Sequence, residues 1–352
     1  MQDIVDQLAH AIREAAARRT PLRIRGGGTK DFYGGPLQGE LLETHAYSGI
    51  VDYDPTELVL VARAGTRLTE IDALLGRNGQ MLSFEPPHFG DAATLGGCIA
   101  AGLSGPRRPH VGAARDLVLG VRMLDGNGAD LRFGGQVMKN VAGYDVSRLM
   151  AGALGTLGML LEISIKTLPL PRTALTLRRE HDAAHAIELM NAWAAKPLPI
   201  TATCHLDNQL YARLEGAEPA VRAAREKLGG EEIADGGEFW ARVREQRVDF
   251  FEGAPVLWRL SIKSTTAALP LAGRQLIEWN GAQRWLAADA DASQVRAAAA
   301  QAGGHATLFR GGDKRVGVFQ PLAPSLFKIH RRLKESFDPH GILNVGRLYS
   351  NF

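Results

Sequence analysis

The sequence predicts an α+β protein of two α/β lobes followed by a smaller α+β domain. Three observations lead there. At 352 residues the chain exceeds the roughly 100–200 residues of one domain. Strand-like apolar runs alternate with amphipathic helical stretches along its length. Between Gly90 and Gly158 lie 15 of the 40 glycines, and they interrupt apolar runs rather than form a flexible linker, so this stretch is a folded surface.

Taken in order, Asp3 to Arg19 sets Ile4, Val5, Leu8 and Ile12 on one helical face with charges opposite. After Pro21, Leu22 and Ile24 alternate into a short strand that runs straight into Arg25-Gly26-Gly27-Gly28-Thr29-Lys30. Ile50 to Tyr53 and Leu58 to Ala62 read as strands around an Asp54-Pro55 turn. Thr66 is then placed to cap a helix that buries Leu68, Ile71, Leu74 and Leu75 and closes at Gly79. Glu85-Pro86-Pro87-His88 ends regular structure, and Thr94 is placed to cap a helix opened by Gly96 and Gly97. Leu117 to Leu124 and Ala129 to Phe133 flank Asp125-Gly126-Asn127-Gly128 as a hairpin. Val141 to Leu154 reads as helical, and Met159 to Leu168 as a buried strand stopped by Pro169 and Pro171. Beyond Arg172 helices are expected at Glu218 to Leu228, Phe239 to Phe250 and Ala292 to Ala302, with a strand at Val256 to Lys263. A last amphipathic helix runs from Pro324 to Phe337, before Asp338-Pro339-His340-Gly341. The boundaries expected are 1–171 for the first domain, with lobes of about 1–85 and 86–171, then 172–323, then the closing segment 324–352.

Composition narrows the function. Hydrophobic residues make up 45% and charged residues 22%, as in ordinary globular proteins, and no apolar run reaches the roughly 20 residues of a spanning helix. The first segment is amphipathic and lacks the apolar run of a signal peptide, so a cytoplasmic protein is expected. The net charge of +3 is scattered, without the aromatic-basic interleaving of a nucleic-acid surface. Cys98 and Cys204 are far apart and form no CxxC pair, which excludes a cysteine-held zinc or iron–sulfur cluster in this chain. His181 and His185 have i, i+4 spacing but no third ligand, so no metal is expected.

Two nucleotide signatures fail. Gly152-Ala153-Leu154-Gly155-Thr156-Leu157-Gly158 has GxxGxxG spacing, and no acidic residue ends a strand about 20 residues later as a dinucleotide fingerprint requires. Gly26 to Lys30 lacks GxxxxGK[ST], because Asp31 follows the lysine. What remains is a pair of separated glycine loops whose main-chain N–H groups can neutralise a pyrophosphate without several lysines.

RGGGT after a short strand, EPP, TLGGCIAAGLSGPRRPHVGAARD, GGQVMKNVAGYDVSRLMAGALGTLG and FDPHGILNVGR together resemble the FAD-binding fold of the vanillyl-alcohol oxidase and p-cresol methylhydroxylase (PCMH-type) family. Within it the chain is similar to the small FAD-binding subunits of bacterial glycolate oxidase. The resemblance implies FAD extended between two lobes, with Arg25, Gly26, Gly27, Gly28 and Thr29 around the pyrophosphate. It places Pro87, Thr94, Gly96, Gly97, Gly102, Ser104 and Gly105 along pyrophosphate and flavin. Gly152, Gly155, Gly158 and the backbone near Ile163 would meet the adenosine half, and Asn344 stands in the closing turn near the flavin. Lys139, Tyr144 and Asp145 would hold the lobe together. Covalent relatives often carry histidine where Thr29 stands, so the FAD is expected to be non-covalent.

Catalytic relatives oxidising 2-hydroxy acids carry DGNLH and HGxG segments, and this chain has neither. Such oxidation needs a base for the hydroxyl proton and a cation for the carboxylate beside the flavin. The candidates are Arg347, with Lys328 second, for the cation, and His330 or His88 for the base. The resulting expectation is a non-covalent FAD subunit of a glycolate-oxidising complex, working with a larger FAD-binding catalytic subunit and an iron–sulfur subunit, and meeting the inner membrane only through that complex. The alternatives are a self-sufficient FAD dehydrogenase of a hydroxy acid or alcohol, and a scaffold with structural FAD.

Overall fold

The computed structural model describes residues 1–135, 145–350 and 352. Lys139 and Tyr144 lie outside the described residues. The chain folds as two units: Met1–Leu103, Ala113–Pro169 and Pro321–Phe352 form the first, Ser104–Gly112 and Leu170–Gln320 the second.

In the first unit, the spacing of Val5, Leu8, Ile12 and Ala15/Ala16 makes Gln2–Arg18 a helix with one buried face, and Arg19 ends it in the left-handed region (φ 54°). That face packs on the parallel strands Leu22–Arg25 and Glu40–Glu43, and on Ile342 and Leu343. Leu22 donates its N–H to Ile342 and accepts from Asn344, so the end of the chain pairs with its first strand.

A five-stranded antiparallel sheet forms the rest of this unit, in the order Ile50–Asp54, Val59–Arg63, Met159–Lys166, Val118–Leu124, Asp130–Gly134. Leu60, Val121, Met123, Ile163 and Ile165 bury one core with Leu68, Ile71 and Leu75 of the helix Leu68–Arg77, and with Leu95 and Ile99 of the helix Leu95–Ala101. Each large apolar side chain so buried contributes about 1.5–3 kcal/mol. The strands at Ile50 and Val59, assigned above to the first lobe, thus hydrogen-bond into the sheet of the second. A strand's partner is set by cross-strand packing and not by neighbourhood in sequence. Thr66 does not cap its helix either: its hydroxyl accepts from the Gly49 N–H and donates to the Gly49 carbonyl, tying a turn. Of the helical stretch expected at 141–154, residues 141–144 lie outside the described residues; the described part is helical over Val146–Met150 and broken after it by positive φ at Gly152, Leu154 and Gly155. Asp145 accepts from the Ser147 hydroxyl and pairs with Arg148 at that helix's start.

The closing helix Pro324–Phe337 buries Lys334 and is followed by buried Asp338. Lys334 Nζ donates to Asp338 at 2.6 Å and to the carbonyls of Thr156 and Leu343 at 2.8 Å. Asp338 in turn accepts the N–H groups of Ile342 and Leu343. Burial pushes the ammonium's proton affinity down while Asp338 pulls it up, and the hydrogen bonds fix the turn that delivers Asn344.

The second unit is built on an eight-stranded antiparallel sheet, ordered Glu231–Ile233, Thr173–Glu180, Gln209–Gly216, Ile200–Leu206, Arg274–Glu278, Gln283–Ala287, Leu257–Ser261, His305–Arg310. Leu210, Leu214 and Ile277 bury one face under the helices Ala183–Ala194 and Glu218–Leu228; Trp258, Leu260 and Leu286 do so under Ala292–Gln301. Strand alternation sends their neighbours to the opposite face. The single helix expected over Phe239 to Phe250 is two, Gly236–Arg244 and Asp249–Glu252, parted at Gln246, which has a positive φ of 56°.

Candidate functional site

In the first unit a cleft opens where Leu22–Arg25 runs into its glycine loop. Of the residues singled out from sequence, Arg25, Gly26, Gly27, Gly28, Thr29, Thr94, Gly96, Gly97, Gly155, Gly158, Asn344 and Arg347 line it.

The glycines are there for three separate reasons. A Cβ on Gly27 would run into the Ala92 carbonyl, and one on Gly26 into the Thr94 hydroxyl, so the first loop lies main chain against the second. Gly28 has φ +71°, and its missing side chain makes room for the Arg25 guanidinium. Arg25 is held there by Asp31, 2.9 Å from its Nε. Gly96 lies against Ala64, whose carbonyl takes the Gly96 N–H at 2.8 Å, while the Thr94 hydroxyl caps the helix by accepting the Gly97 N–H. Among the described residues, the N–H groups of Gly27, Gly28 and Thr29 meet no protein acceptor. Consecutive donors of this kind are an anion nest.

The charges around the cleft agree with that polarity. Its lining includes Arg25, Lys30 and Arg347 against the one carboxylate of Asp31. Lys30 Nζ donates to the His88 carbonyl at 3.1 Å and lies 5.6 Å from the Phe89 ring centre. Arg347 is buried and donates to the carbonyls of Tyr33 and Gly35, and to that of Asp31 at 3.4 Å. Burial pushes its proton affinity down and the Asp31 charge partly restores it. This guanidinium holds the 31–35 loop, which is a different task from the one expected of it.

Asn344 joins three segments. At φ 44° its side chain accepts the Ile24 N–H at 2.7 Å and donates to the Leu154 carbonyl at 2.6 Å, and its own N–H bonds to Leu22. The opposite wall is apolar, built from Ala100, Ala101, Met150, Ala153, Leu154 and Leu160.

Other expected residues lie elsewhere. Ile163 is fully buried in mid-sheet between Ala62 and Val121, so its place is in the core. Gly102 closes its helix with φ 63° and lies against Gly152, which donates to the Ile99 carbonyl; this contact joins the helix end to the loop behind the cleft. Pro87 is buried and outside the lining. Ser104 and Gly105 belong to the second unit. His88 Nε2 stands 3.2 Å from the Asp72 carboxylate, and His330 stacks on Phe352 at 6.4 Å, so neither lines the cleft. Lys328 is exposed on the closing helix. Sequence reasoning missed Lys30, Asp31 and the alanines and leucines of the wall. Lys30 and Asp31 directly follow the glycine loop and could have been found; the wall residues look like any core.

The lining suits a flat ligand with a phosphate group, because it joins a donor nest and positive charge to apolar residues. The family model for the FAD binding domain matches residues 3–134. Over 348 residues the chain is 51% identical to glycolate oxidase subunit GlcE of Escherichia coli (strain K12), covering 99% of this chain and 98% of that protein. Glycolate oxidase subunit GlcD of Bacillus subtilis (strain 168) is 32% identical over 202 residues, 56% of this chain and 42% of that protein. In fold, the chain is similar to p-cresol methylhydroxylase with substrate bound, with a TM-score of 0.69, 15% identity, and coverage of 97% of this chain and 87% of that one. Alkyldihydroxyacetonephosphate synthase gives a TM-score of 0.66 at 15% identity, covering 96% and 75%.

Proposed function

Because this chain belongs to the family of glycolate oxidase GlcE subunits, we propose that it holds FAD without a covalent bond in the cleft of its first unit, and serves beside a larger FAD-binding catalytic subunit and an iron–sulfur subunit in oxidising glycolate or a similar 2-hydroxy acid. The chain is a subunit of an FAD-dependent oxidoreductase with a PCMH-type fold, and FAD is its cofactor. Residues 1–171 with 324–352 make the FAD-binding domain in this reading, and 172–323 a cap domain.

The donor nest at Gly27, Gly28 and Thr29 carries the assignment within the chain. These N–H groups would hold the pyrophosphate, aided by the positive charge of Arg25 and Lys30 and by the helix start at Thr94, Gly96 and Gly97. Gly155, Gly158 and Leu160 would face the adenosine half, and Asn344 fixes the two segments on which that wall rests. When bound, the flavin supplies two-electron oxidation and hands the electrons on. The Thr29 hydroxyl cannot form a histidyl linkage. Burial pushes the Cys98 thiol up to about 12, leaving no thiolate for a cysteinyl one.

The same geometry supports the reading in which the primary chemistry lies on the larger subunit. Among the described residues no histidine lines the cleft, His88 pairs with Asp72, and Arg347 donates to carbonyls. The described lining thus offers no histidine base, its cations Arg25 and Lys30 are read as serving the pyrophosphate, and the flavin here would relay electrons or support assembly. Among the described residues no helix is long and apolar enough to cross a membrane.

The test is to purify the chain alone, denature it and read the flavin spectrum of the supernatant. About one FAD per chain, released without proteolysis, is expected; colourless protein overturns the cofactor site. Anaerobic glycolate should bleach the flavin only when the partner subunits are present. Rapid bleaching of the isolated chain would instead make it a self-sufficient dehydrogenase.

A further inference from the structure

The loop 85–90 carries backbone strain that the proposed function does not use. Glu85 has φ 49° although Pro86 follows it, a position where extended backbone is usual, and Phe89 has φ 56°. A bulky side chain in the left-handed region is costly and persists only where its surroundings over-determine it. Here they do. Pro86 and Pro87 are buried and stiffen the loop. His88 Nε2 stands 3.2 Å from the Asp72 carboxylate of the helix Leu68–Arg77, and the His88 carbonyl accepts from Lys30 Nζ at 3.1 Å. Gly90 lies against the glycine loop, where a Cβ on it would stand 3.5 Å from the Thr29 methyl carbon.

What the strain delivers is a side chain. The Phe89 ring meets Phe32 edge-on, with centres 5.4 Å apart and planes at 71°, and the Lys30 ammonium lies 5.6 Å from its centre. Phe32 sits on the 31–35 loop, which Arg347 holds by its carbonyls. Two separately anchored loops thus meet at Phe89, one fixed from Asp72 and the other from Arg347. Lys30 reaches the 85–90 loop twice, at the His88 carbonyl and at the Phe89 ring, and also donates to the Thr29 hydroxyl at 3.4 Å. It lines the cleft, one residue beyond the donor nest of Gly27, Gly28 and Thr29. Ordering a lysine side chain costs entropy, and these contacts meet that cost before a ligand arrives. Phe89 is outside the lining, so its effect on a ligand there passes through Lys30.

We infer that Phe89 is a positioning residue of the cofactor site: with Phe32 it holds the Lys30 ammonium beside the nest, so that the strained 85–90 loop sets how slowly FAD leaves. The inference rests on the reading of the cleft as the FAD site, and adds a residue outside the lining that governs residence there.

The test is to dilute the flavin-loaded full chain and follow release by the rise in flavin fluorescence. Lys30→Met should release FAD about ten- to a hundredfold faster than wild type, as loss of a charged hydrogen-bonding group does. Phe89→Gly should release it about three- to tenfold faster, since glycine keeps the positive φ and removes only the ring. Phe89→Leu, which keeps apolar volume without the ring, should behave as Phe89→Gly does, so the result does not hang on the folding of one variant. Because Phe89 acts through Lys30, the double variant Lys30→Met, Phe89→Gly should exceed Lys30→Met alone by no more than about twofold. Phe89→Tyr keeps the ring and should release FAD at the wild-type rate, which separates positioning from a folding defect. The inference is overturned if Phe89→Gly and Phe89→Leu retain FAD as wild type does, if Phe89→Tyr is as fast as they are, or if the two single effects multiply in the double variant. A wild-type chain that holds no FAD defeats the proposed function and this inference with it, whereas FAD held equally by wild type and the Phe89 variants defeats the inference alone.

Discussion

The cleft of the first unit and the surroundings of Trp279 in the second both collect positive charge, but they present it differently. In the cleft the donors are main-chain N–H groups on glycines, and the guanidiniums serve the protein: Arg347 holds carbonyls of the 31–35 loop and Arg25 is tied to Asp31. In the second unit the guanidiniums of Arg108 and Arg259 lie 4.4 and 5.2 Å from the centre of the Trp279 ring. A main-chain nest has few alternative conformations and suits a ligand that stays. A guanidinium on an indole has a partner within the chain. The comparison teaches that a large positive residue near a cleft is no sign of ligand contact until its hydrogen bonds have been followed.

Perturbing the support of the main-chain cleft should have the largest effect. Lys334→Met leaves Asp338 buried without its counter-charge, and a loss of about 3–5 kcal/mol in thermal or denaturant unfolding is expected, together with released flavin. If stability falls while flavin is fully retained, the link from this pair through Leu343 to Asn344 is wrong. Gly27→Ala comes next, since its Cβ meets backbone at Ala92. About 3 kcal/mol, the upper end of overpacking costs, and near-complete loss of flavin absorbance are expected. Full flavin in that variant would break the distinction between the two regions, as would loss of flavin in Arg259→Gln. Asn344→Gly keeps the left-handed backbone but removes the bonds to Ile24 and Leu154; about 2 kcal/mol and faster flavin dissociation in gel filtration should follow. Thr94→Ala removes a cap worth about 1 kcal/mol and should weaken flavin retention least.

A titration sharpens the same contrast. His305 and His110 have lowered proton affinities in the folded chain, so the unfolded chain binds more protons as pH falls through the usual imidazole range. Stability contributed there is present above that range and is lost below it. Thermal melts are therefore expected to show a lower midpoint at pH 5.5 than at pH 7.5, and the double variant His110→Gln, His305→Gln should reduce that difference. An unchanged difference in that double variant would show that these histidines do not carry the loss.

The readable part of the site was what only glycine or a cap can do. Gly27, Gly28, Thr94 and Gly155 occupy places where a Cβ, a left-handed φ or an unpaired helix end dictates the residue type, and such demands leave a signature in sequence. Ala100, Ala153 and Leu160 line the same cleft but satisfy only a demand for apolar volume, which every core position shares. Arg347 was legible as a cation near the site and illegible as a clamp, because its partners are carbonyls whose position depends on the folded 31–35 loop. Arg259 and His305 share a sheet face only through register between distant strands, so no local spacing announces them. The fold followed similar lines: the helices Glu218–Leu228 and Pro324–Phe337 matched their periodicity, whereas the sheet that recruits Ile50–Asp54 was decided by packing.

The bond from Ile24 to Asn344 spans 320 residues of sequence, with the whole second unit between its ends. During synthesis the glycine loop emerges early, but the strand that bears it must wait for Asn344 to be made before its N–H is capped. The cofactor compartment is therefore the last part of the first unit to be finished. A nascent chain halted within the second unit would present the loop without its staple, which makes flavin retention a report on translation past Asn344 as well as on folding.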